Sequence, residues 1–275
     1  KHNAQRCRAF RPPDAGSEIG KHSVKKVAFL HIPKTAGQSV HSELTKIYGS
    51  ARTSPVRVHH QASSDGQFPN GYDLYSGHLD WCRLRETQTD TFAFTVLRDP
   101  FERIASFYFY LRNKAFRLTD SLLSSPGHMG LYKVKNCSPA AYFFGGSPAW
   151  QQFIKDHYDN FYCSYLATGK VRGAAEVCHF SKDMLVGQAI GGARKLDRVY
   201  RLSSLNLLEN DIQNLTGCRP SIVKTRINVG PKGVQTSRWQ DLMTLINDKP
   251  AQERLAAFAE ADISLLDHLK DEGLL

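Results

Sequence analysis

The stretch VKKVAFLHIPKTAGQSVHSELTKIY, residues 24–48, decides the fold that the sequence predicts. Its first part, Val24 to Ile32, is rich in β-branched and aromatic residues and is followed by a proline, which predicts a buried strand. The pattern then becomes helical, because Val40, Leu44 and Ile47 are spaced to lie on one face of a helix. A strand that turns directly into a helix is typical of a parallel α/β fold.

The loop between this strand and the helix predicted for Gln38 to Tyr48 suits an anion. The free N–H groups and the dipole at a helix start attract phosphate or sulfate. Lys34 adds a positive charge, and Thr35 and Ser39 add hydroxyl donors. Gly37 allows the backbone to approach a ligand closely. The loop does not follow the common P-loop pattern G-x-x-x-x-G-K-S/T, and the alternative is a plain turn with a solvated lysine.

A second strand ends in another group suited to an anion. The run FAFTVL, Phe92 to Leu97, predicts a strand, and the next helix opens with a proline. Arg98 follows the strand and can bind an anion bidentately, while Ser106 lies two helical turns further on and can donate its hydroxyl. Two anion sites on successive strands indicate a nucleotide with phosphates at both ends. The alternative for Arg98 is an ion pair with Asp99 or Glu102.

The whole chain predicts an α/β fold, in which strands and helices alternate. We expect a P-loop-like three-layer sandwich, with a central, mainly parallel sheet, helices on both faces, and ligands at the carboxyl ends of the strands. Residues 1–23 are predicted to form a basic N-terminal arm, and residues 24–275 a single domain. Further predictions are strands over Tyr72–Gly77 and Val199–Leu202, helices over Pro100–Arg112, Ser181–Lys195 and Ser203–Leu215, helices from about Ser237 and Pro250, an irregular insert over Leu118–Pro148, and a basic loop over Gly217–Gln235.

The composition indicates a negatively charged partner. The chain has 275 residues, 41% of them apolar, with a formal net charge of +10. Such a charge suits an acidic glycan, a nucleic acid, an anionic membrane or a nucleotide, and the alternative is that it serves solubility alone. No stretch approaches the ~20 apolar residues that a membrane span needs.

The cysteines and two tripeptides favour the secretory pathway. Six cysteines permit up to three disulfides, and none forms a C-x-x-C pair; the alternative is a cytosolic protein with six free thiols. Asn136 and Asn214 begin N-x-S/T sequons for glycosylation.

The two anion-binding stretches, FLHIPKTAGQS and FTVLRDPFERIASFY, together resemble the sulfotransferase superfamily. They are most similar to its Golgi, membrane-anchored glycan branch, such as the heparan sulfate 2-O- and 6-O-sulfotransferases. Those enzymes use 3′-phosphoadenosine 5′-phosphosulfate (PAPS). The resemblance implies that the 5′-phosphosulfate is bound by Lys34, Thr35, Ala36, Gly37, Gln38 and Ser39, and that the 3′-phosphate is bound by Arg98 and Ser106.

A third stretch, YSGHLDWCRL, resembles the segment of those enzymes that carries the catalytic base. The matching residue is His78, and histidine titrates near the pH at which a base must take a hydroxyl proton. The alternative is a histidine with a purely structural role. Glu43 and Glu86 are weaker candidates for the base.

The late basic loop, KTRINVGPKG, is a candidate for closing over the nucleotide, as a loop does in many sulfotransferases. Its candidate ligands are Arg226, Asn228 and Lys232, and the alternative is an ordinary surface loop.

These features together predict PAPS-dependent transfer of a sulfuryl group to an acceptor hydroxyl by in-line displacement. His78 would take the proton, and Lys34 would neutralise the charge on the leaving 3′-phosphoadenosine 5′-phosphate, with no metal. The expected acceptor is an acidic or neutral glycan, and not a nucleic acid; a protein tyrosine or a small alcohol is the alternative. We expect the Golgi lumen or secretory pathway, with membrane contact only through an N-terminal anchor absent from this chain.

Two other classes of function remain open at this point. A P-loop kinase would need a magnesium-binding aspartate at a strand end, whereas Asp99 follows an arginine-led motif. A non-catalytic module that binds polyanions would show salt-dependent binding without turnover.

Overall fold

A sheet of four short parallel strands forms the centre of the computed structural model, which describes residues 25–125, 127–225 and 237–275. The strand order is β2-β1-β3-β4, so the first strand is internal and the chain crosses over between strands. The strands are β1 (Lys26–Leu30), β2 (Leu74–Gly77), β3 (Thr91–Leu97) and β4 (Arg198–Arg201).

The register brings the carboxyl ends of all four strands to one edge. Leu30 at the end of β1 lies beside Gly77 at the end of β2, and Leu97 at the end of β3 lies beside Arg201 at the end of β4. In parallel sheets the loops at this edge are where ligands bind. The predicted mainly parallel sheet is therefore confirmed.

Thirteen helices are assigned within the described residues. The earlier ones are α1 (Gly37–Tyr48), α2 (Leu84–Thr87), α3 (Pro100–Ala115), α4 (Asp120–Leu123), α5 (Met129–Asn136), α6 (Pro139–Phe144) and α7 (Pro148–His157). The later ones are α8 (Phe161–Thr168), α9 (Lys182–Ala193), α10 (Leu205–Thr216), α11 (Arg238–Ile246), α12 (Lys249–Ala256) and α13 (Glu260–Asp271).

Helices cover both faces of the sheet. Along β1, Val27 and Phe29 pack into one apolar cluster with side chains of α1 and α10. Ala28 and Leu30 point to the opposite face and pack with α8, α9 and α13. This alternation follows from the period of two in a strand. The three-layer sandwich predicted from the sequence is confirmed.

The prediction of an irregular insert over residues 118–148 is wrong, because α4, α5 and α6 lie there. Proline and serine mark helix starts here instead of breaks. Pro139 occupies the first turn of α6, where its missing N–H costs nothing, and Ser138 accepts a hydrogen bond from the backbone N–H of Ala141. These helices and α3, α7, α11 and α12 share a third apolar cluster.

Other boundaries differ by a few residues. The predicted start of a helix at Ser203 is wrong, because residues 202–204 form a short 3₁₀ turn and α10 begins at Leu205. The helix expected over Ser181 to Lys195 is confirmed as α9, and Ser181 caps it by accepting from the N–H of Met184. The two helices predicted after residue 237 are α11 and α12, and a third, α13, follows them.

The five cysteines of the described residues are not bonded to one another: Cys82, Cys137, Cys163, Cys178 and Cys218 all carry free thiols. The described residues therefore contain no disulfide, and the sixth cysteine, Cys7, lies outside them. Within the described ranges, no helix combines the length and apolar character required to cross a bilayer.

Replacing either of two glycines of α9 with alanine is expected to change the free energy of unfolding in opposite directions. A Cβ on Gly192 would lie 1.9 Å from the carbonyl oxygen of Leu166 in α8, whereas a Cβ on Gly187 would meet nothing within 4 Å. We expect Gly192→Ala to lower the free energy of unfolding by about 1–3 kcal/mol, because the two helices must move apart. Gly187→Ala, the matched control, should raise it by about 0.4–1 kcal/mol. Denaturant titrations measure both, and a wild-type midpoint for Gly192→Ala would contradict the close packing.

Candidate functional site

A cleft of about 750 Å³ opens at the carboxyl edge of the sheet. Residues that follow all four strands line it: His31 and Lys34 after β1, His78 after β2, Arg98 after β3 and Leu202 after β4. The parallel topology brings these residues together although they are far apart in the chain.

The loop between β1 and α1 has an unusual backbone. Lys34 and Ala36 have φ angles of 74° and 64°, in the left-handed region that residues with a Cβ rarely adopt. Thr35 is buried, and its hydroxyl donates to the carbonyl of Ile32 at 2.9 Å, so it is used within the loop. The other residues predicted to contact the phosphosulfate line the cleft: Lys34, Ala36, Gly37, Gln38 and Ser39.

Position 37 has to be glycine because the side chain of His31 occupies the space beside it. A Cβ on Gly37 would lie 1.7 Å from Nε2 of His31, so the imidazole of His31 occupies the place of a side chain. His31 is buried, and burial places the pKa of its imidazole well below the usual value, with His78 and nearby cations adding to the effect. His31 is therefore a neutral ring that fits against the backbone at the start of α1.

A column of rings connects the core to the cleft. Phe94 stacks on Phe29 with 5.0 Å between ring centroids, Phe29 on His31 at 5.4 Å, and His31 on His78 at 4.2 Å. These rings come from β3, β1 and the end of β2, so the sheet itself sets the plane of the His78 imidazole.

One hydrogen bond determines which nitrogen of His78 is able to accept a proton. Nδ1 of His78 lies 2.6 Å from the carbonyl oxygen of His31. A carbonyl oxygen only accepts, so Nδ1 carries the proton and Nε2 has a free lone pair. The backbone N–H of His78 also donates to the carbonyl of Arg57, at 2.8 Å.

The surroundings of His78 favour the neutral form of its imidazole. Burial lowers the pKa of His78 most, the hydrogen bond to His31 raises it, and the charges of Arg57 and His59 lower it. At neutral pH the ring is therefore uncharged and able to accept a proton at Nε2.

Three cations that line the cleft act on one another electrostatically: Lys34, Arg98 and Arg238. Nζ of Lys34 lies 4.2 Å from the centroid of the Tyr110 ring. Burial, and then the charges of Arg98 and Arg238, lower the pKa of Lys34 to about 8. The ammonium is thus poised to gain stability from a bound anion. Ser106, almost buried, lines the same part of the cleft.

Arg98 forms an ion pair with Glu102, one of the two partners that the sequence suggested for it. Its Nη2 donates to Oε2 of Glu102 at 2.9 Å. A guanidinium has five N–H donors, so this pair leaves capacity for an anion. The hydroxyl of Tyr162 accepts from the backbone N–H of Arg98 at 3.1 Å and donates to its carbonyl at 3.0 Å, which holds the end of β3.

The two glutamates considered as bases lie outside the residues that line the cleft. Glu86 forms an exposed ion pair with Arg83. Glu43 accepts from the backbone N–H of Ser221 at 3.0 Å and from the hydroxyl of Thr225 at 2.9 Å. Burial alone would raise the pKa of Glu43, but hydrogen bonds from Lys46, Ser221 and Thr225 lower it overall.

Sequence reasoning missed two other parts of the cleft wall. On the side of β4 it is lined by Leu202, Ser203, Leu205, Asn206, Ile222, Val223 and Thr225, and on the side of β2 by Val58, His59, His60, Phe107, His157, Val171 and Arg172. For the β4 side, the position of Leu202 and Ser203 at the end of a predicted strand could have suggested that they line the cleft. The sequence contains no such signal for the β2 side. Thr225 and Arg238 line the cleft on either side of residues 226–236, and the candidates Arg226, Asn228 and Lys232 lie outside the described residues.

Comparison with known families identifies the class of the protein. Residues 21–159, about half of the chain, match the model described as the sulfotransferase family. The chain belongs to the sulfotransferase family. The matched part of this sulfotransferase contains the loop after β1, His78, Arg98 and Ser106, and the match supports sulfuryl transfer over the kinase alternative. A search of curated proteins finds no match.

The contact between Gly37 and His31 predicts that this sulfotransferase tolerates no side chain at position 37. Gly37→Ala should lower the free energy of unfolding by about 1–3 kcal/mol and reduce sulfuryl transfer, because His31 must leave its place beside His78. Gln38→Ala, at the exposed next position, is the control for stability. Denaturant titration and the histidine ring signals in NMR measure the effect; unchanged ring signals in Gly37→Ala would contradict it.

Proposed function

We propose that this sulfotransferase moves the sulfuryl group of PAPS to a hydroxyl of a glycan, with His78 as general base and Lys34 at the leaving phosphate. One observation carries the proposal. An imidazole with a free Nε2 and a partly buried lysine follow adjacent parallel strands and line the same cleft. This is the pair of groups that sulfuryl transfer needs: one to take the proton and one to balance the charge of the leaving group.

The cleft suits the donor at both ends. The start of α1 and Lys34 fit the 5′-phosphosulfate, whereas Arg98 and Ser106 fit the 3′-phosphate. PAPS, when bound, supplies an activated sulfuryl group whose leaving group is 3′-phosphoadenosine 5′-phosphate. The apolar wall beside β4, with the polar side chain of Asn206, suits the adenine.

His78 and Lys34 divide the work of the reaction. Nε2 of His78 accepts the proton of the acceptor hydroxyl as its oxygen bonds to sulfur, while the sulfur–oxygen bond to the phosphate breaks. Lys34 stays protonated and faces the negative charge left on that phosphate. The column of rings beneath His78 removes the need to orient the imidazole during the reaction.

A glycan is the acceptor that we propose, supported by the motif resemblance and the net charge of +10. We also propose that residues 24–275 act as one domain, because one apolar cluster includes both Ala28 and Leu269. The secretory pathway, including the Golgi lumen, is the proposed location. Asn136 and Asn214 are both exposed, as glycosylation would require.

The pKa of Lys34 predicts pH-dependent binding of 3′-phosphoadenosine 5′-phosphate. In the free protein this pKa is about 8, and a bound phosphate favours the protonated form. Binding should therefore take up a proton near pH 8 and above, and affinity should fall by at most about tenfold per pH unit above that value. Calorimetry in two buffers of different ionisation enthalpy measures the proton uptake.

Two variants separate this effect from other titrations. Lys34→Arg should bind with less dependence on pH, since arginine stays charged. Lys34→Ala should bind weakly at pH 7 and transfer poorly. If the wild type does not bind this nucleotide at all, the proposed use of PAPS is wrong.

His78→Ala tests the base. We expect transfer to fall by about 10²–10⁴-fold, because alanine leaves no group at that position to take the proton of the hydroxyl that is sulfated. The affinity for 3′-phosphoadenosine 5′-phosphate should stay within about twofold, since His78 is not required to hold the phosphates. His179→Ala, at an exposed histidine away from the cleft, is the control. Full activity of His78→Ala would place the base elsewhere.

Transfer from labelled PAPS to a panel of glycans, tyrosine-containing peptides and small alcohols identifies the acceptor class. Label on the peptides or alcohols alone would replace the glycan proposal. Salt-dependent binding of the glycans with no transfer would favour the non-catalytic alternative.

A further inference from the structure

The hydroxyl of Tyr162 lies where β3 ends and the connection to α3 begins. Leu97, the last residue of β3, is paired with Arg201 of β4. Arg98 comes next, beyond this ladder, and its two backbone polar groups both pair with one side chain. The Tyr162 hydroxyl accepts from the N–H of Arg98 at 3.1 Å and donates to the carbonyl of Arg98 at 3.0 Å. Tyr162 therefore takes the place of a partner strand at this residue.

The packing of three helices determines where the Tyr162 hydroxyl lies. The side chain is buried, and the guanidinium carbon of Arg103 in α3 lies 5.5 Å from the centroid of its ring. The backbone N–H groups of Tyr162 and Cys163, at the start of α8, donate to the carboxylate of Asp262 in α13 at 3.1 Å and 2.9 Å. Burial raises the pKa of Tyr162, so the hydroxyl keeps its proton and both donates and accepts.

The guanidinium of Arg98 is held by a different group, Glu102 in α3. Oε2 of Glu102 accepts from Nη2 of Arg98 at 2.9 Å. Oε1 of Glu102 accepts from the hydroxyl of Ser237 and from the backbone N–H of Trp239, each at 3.0 Å. Arg98 is thus held at both ends, by Tyr162 at its backbone and by Glu102 at its guanidinium. Much of the conformational entropy that a long side chain loses on binding is already lost in the free protein.

We propose that Tyr162 is a positioning residue for the donor nucleotide: through the backbone of Arg98 it sets the preference for a nucleotide with a 3′-phosphate over one without. This inference rests on the proposed function, in which Arg98 binds the 3′-phosphate of PAPS. Bidentate binding of a phosphate requires the guanidinium in one position and orientation, and both depend on where the backbone of Arg98 lies. Tyr162 is not among the described residues that line the cleft, so it acts through Arg98 and not by touching the nucleotide.

Two nucleotides that differ only in the 3′-phosphate isolate this effect. The probes are 3′-phosphoadenosine 5′-phosphate and adenosine 5′-phosphate, and calorimetry measures the affinity for each. The ratio of the two affinities reports what the 3′-phosphate contributes. The wild type should prefer the first probe by at least about tenfold, as expected for charged hydrogen bonds. Partial unfolding of a variant lowers both affinities together, so it does not change the ratio.

Tyr162→Phe keeps the ring and removes both hydrogen bonds to Arg98. The ratio should fall by about three- to tenfold, the range that one or two neutral hydrogen bonds support. The affinity for adenosine 5′-phosphate should stay within about twofold, since that probe has no group for Arg98 to bind. Tyr48→Phe is the matched control and should keep the wild-type ratio. Tyr48 is a buried tyrosine whose hydroxyl donates to the carbonyl of Lys25 at 2.8 Å, ahead of β1 and at the opposite edge of the sheet.

A double-mutant cycle separates positioning of Arg98 from a general structural role of Tyr162. Arg98→Ala removes the guanidinium but keeps the backbone groups that Tyr162 holds. In that background Tyr162→Phe should leave the ratio unchanged, because no guanidinium remains to be positioned. An equal fall in the ratio with and without Arg98 would contradict the proposal.

The backbone amide of Arg98 gives a readout in the unaltered protein. Its N–H donates to Tyr162, so its hydrogen exchange should be slow in the free wild type. In Tyr162→Phe this exchange should be at least about tenfold faster. NMR measures both rates. Exchange of the wild-type amide as fast as in an unstructured peptide would overturn the proposal, whether or not the variant folds.

Failure of this inference is distinguishable from failure of the proposed function. The wild type is measured first, and no binding of either nucleotide would overturn the use of PAPS. Equal wild-type affinity for the two nucleotides would overturn the assignment of the 3′-phosphate to Arg98, and this inference with it. A wild-type preference that persists in Tyr162→Phe would overturn the role of Tyr162 alone.

Discussion

The hydrogen bond between His78 and the carbonyl of His31 is the interaction on which the site depends. It joins the ends of two adjacent strands and leaves Nε2 of His78 free as a proton acceptor. The same residue, His31, fills the space above Gly37 at the start of the first helix. The loop before the first helix and the imidazole of His78, our proposed base, are therefore built against one buried imidazole, and a change in that ring would disturb both.

Burial of positive charge gives the cleft its chemistry. Lys34, Arg98 and Arg238 line the same cleft, and burial and the neighbouring positive charges disfavour the charged forms of Lys34 and Arg98. A bound polyanion, such as the nucleotide that we propose, would relieve that cost. Glu102 holds Arg98 in place and also accepts from Ser237 and the backbone of Trp239, which connects the end of β3 to α11.

Local patterns were sufficient for much of the fold. The buried strand before Pro33, the helix with Val40 and Leu44 on one face, and the capping serine of α9 all follow from interactions within a few residues. The insert over residues 118–148 was misread because proline and serine mark both breaks and helix starts, and only packing distinguishes them. The part of the cleft wall near β2 had no single sequence motif, since His59, His157 and Arg172 come from three separate segments.

Lys34, Arg98 and Ser106 could be placed near the carboxyl edge of the sheet because their spacing from a strand end is local information, and His78 was named from the family resemblance of its segment. Their chemistry could not be predicted, because it depends on atoms distant in the chain. The tautomer of His78 depends on a carbonyl 47 residues away, and the hydroxyl of Thr35 is used by Ile32 inside the loop. The requirement for Gly37 comes from the ring of His31, not only from a ligand. Strand order in a parallel sheet brings these groups together, and it is set by the burial of both sheet faces rather than by any single segment.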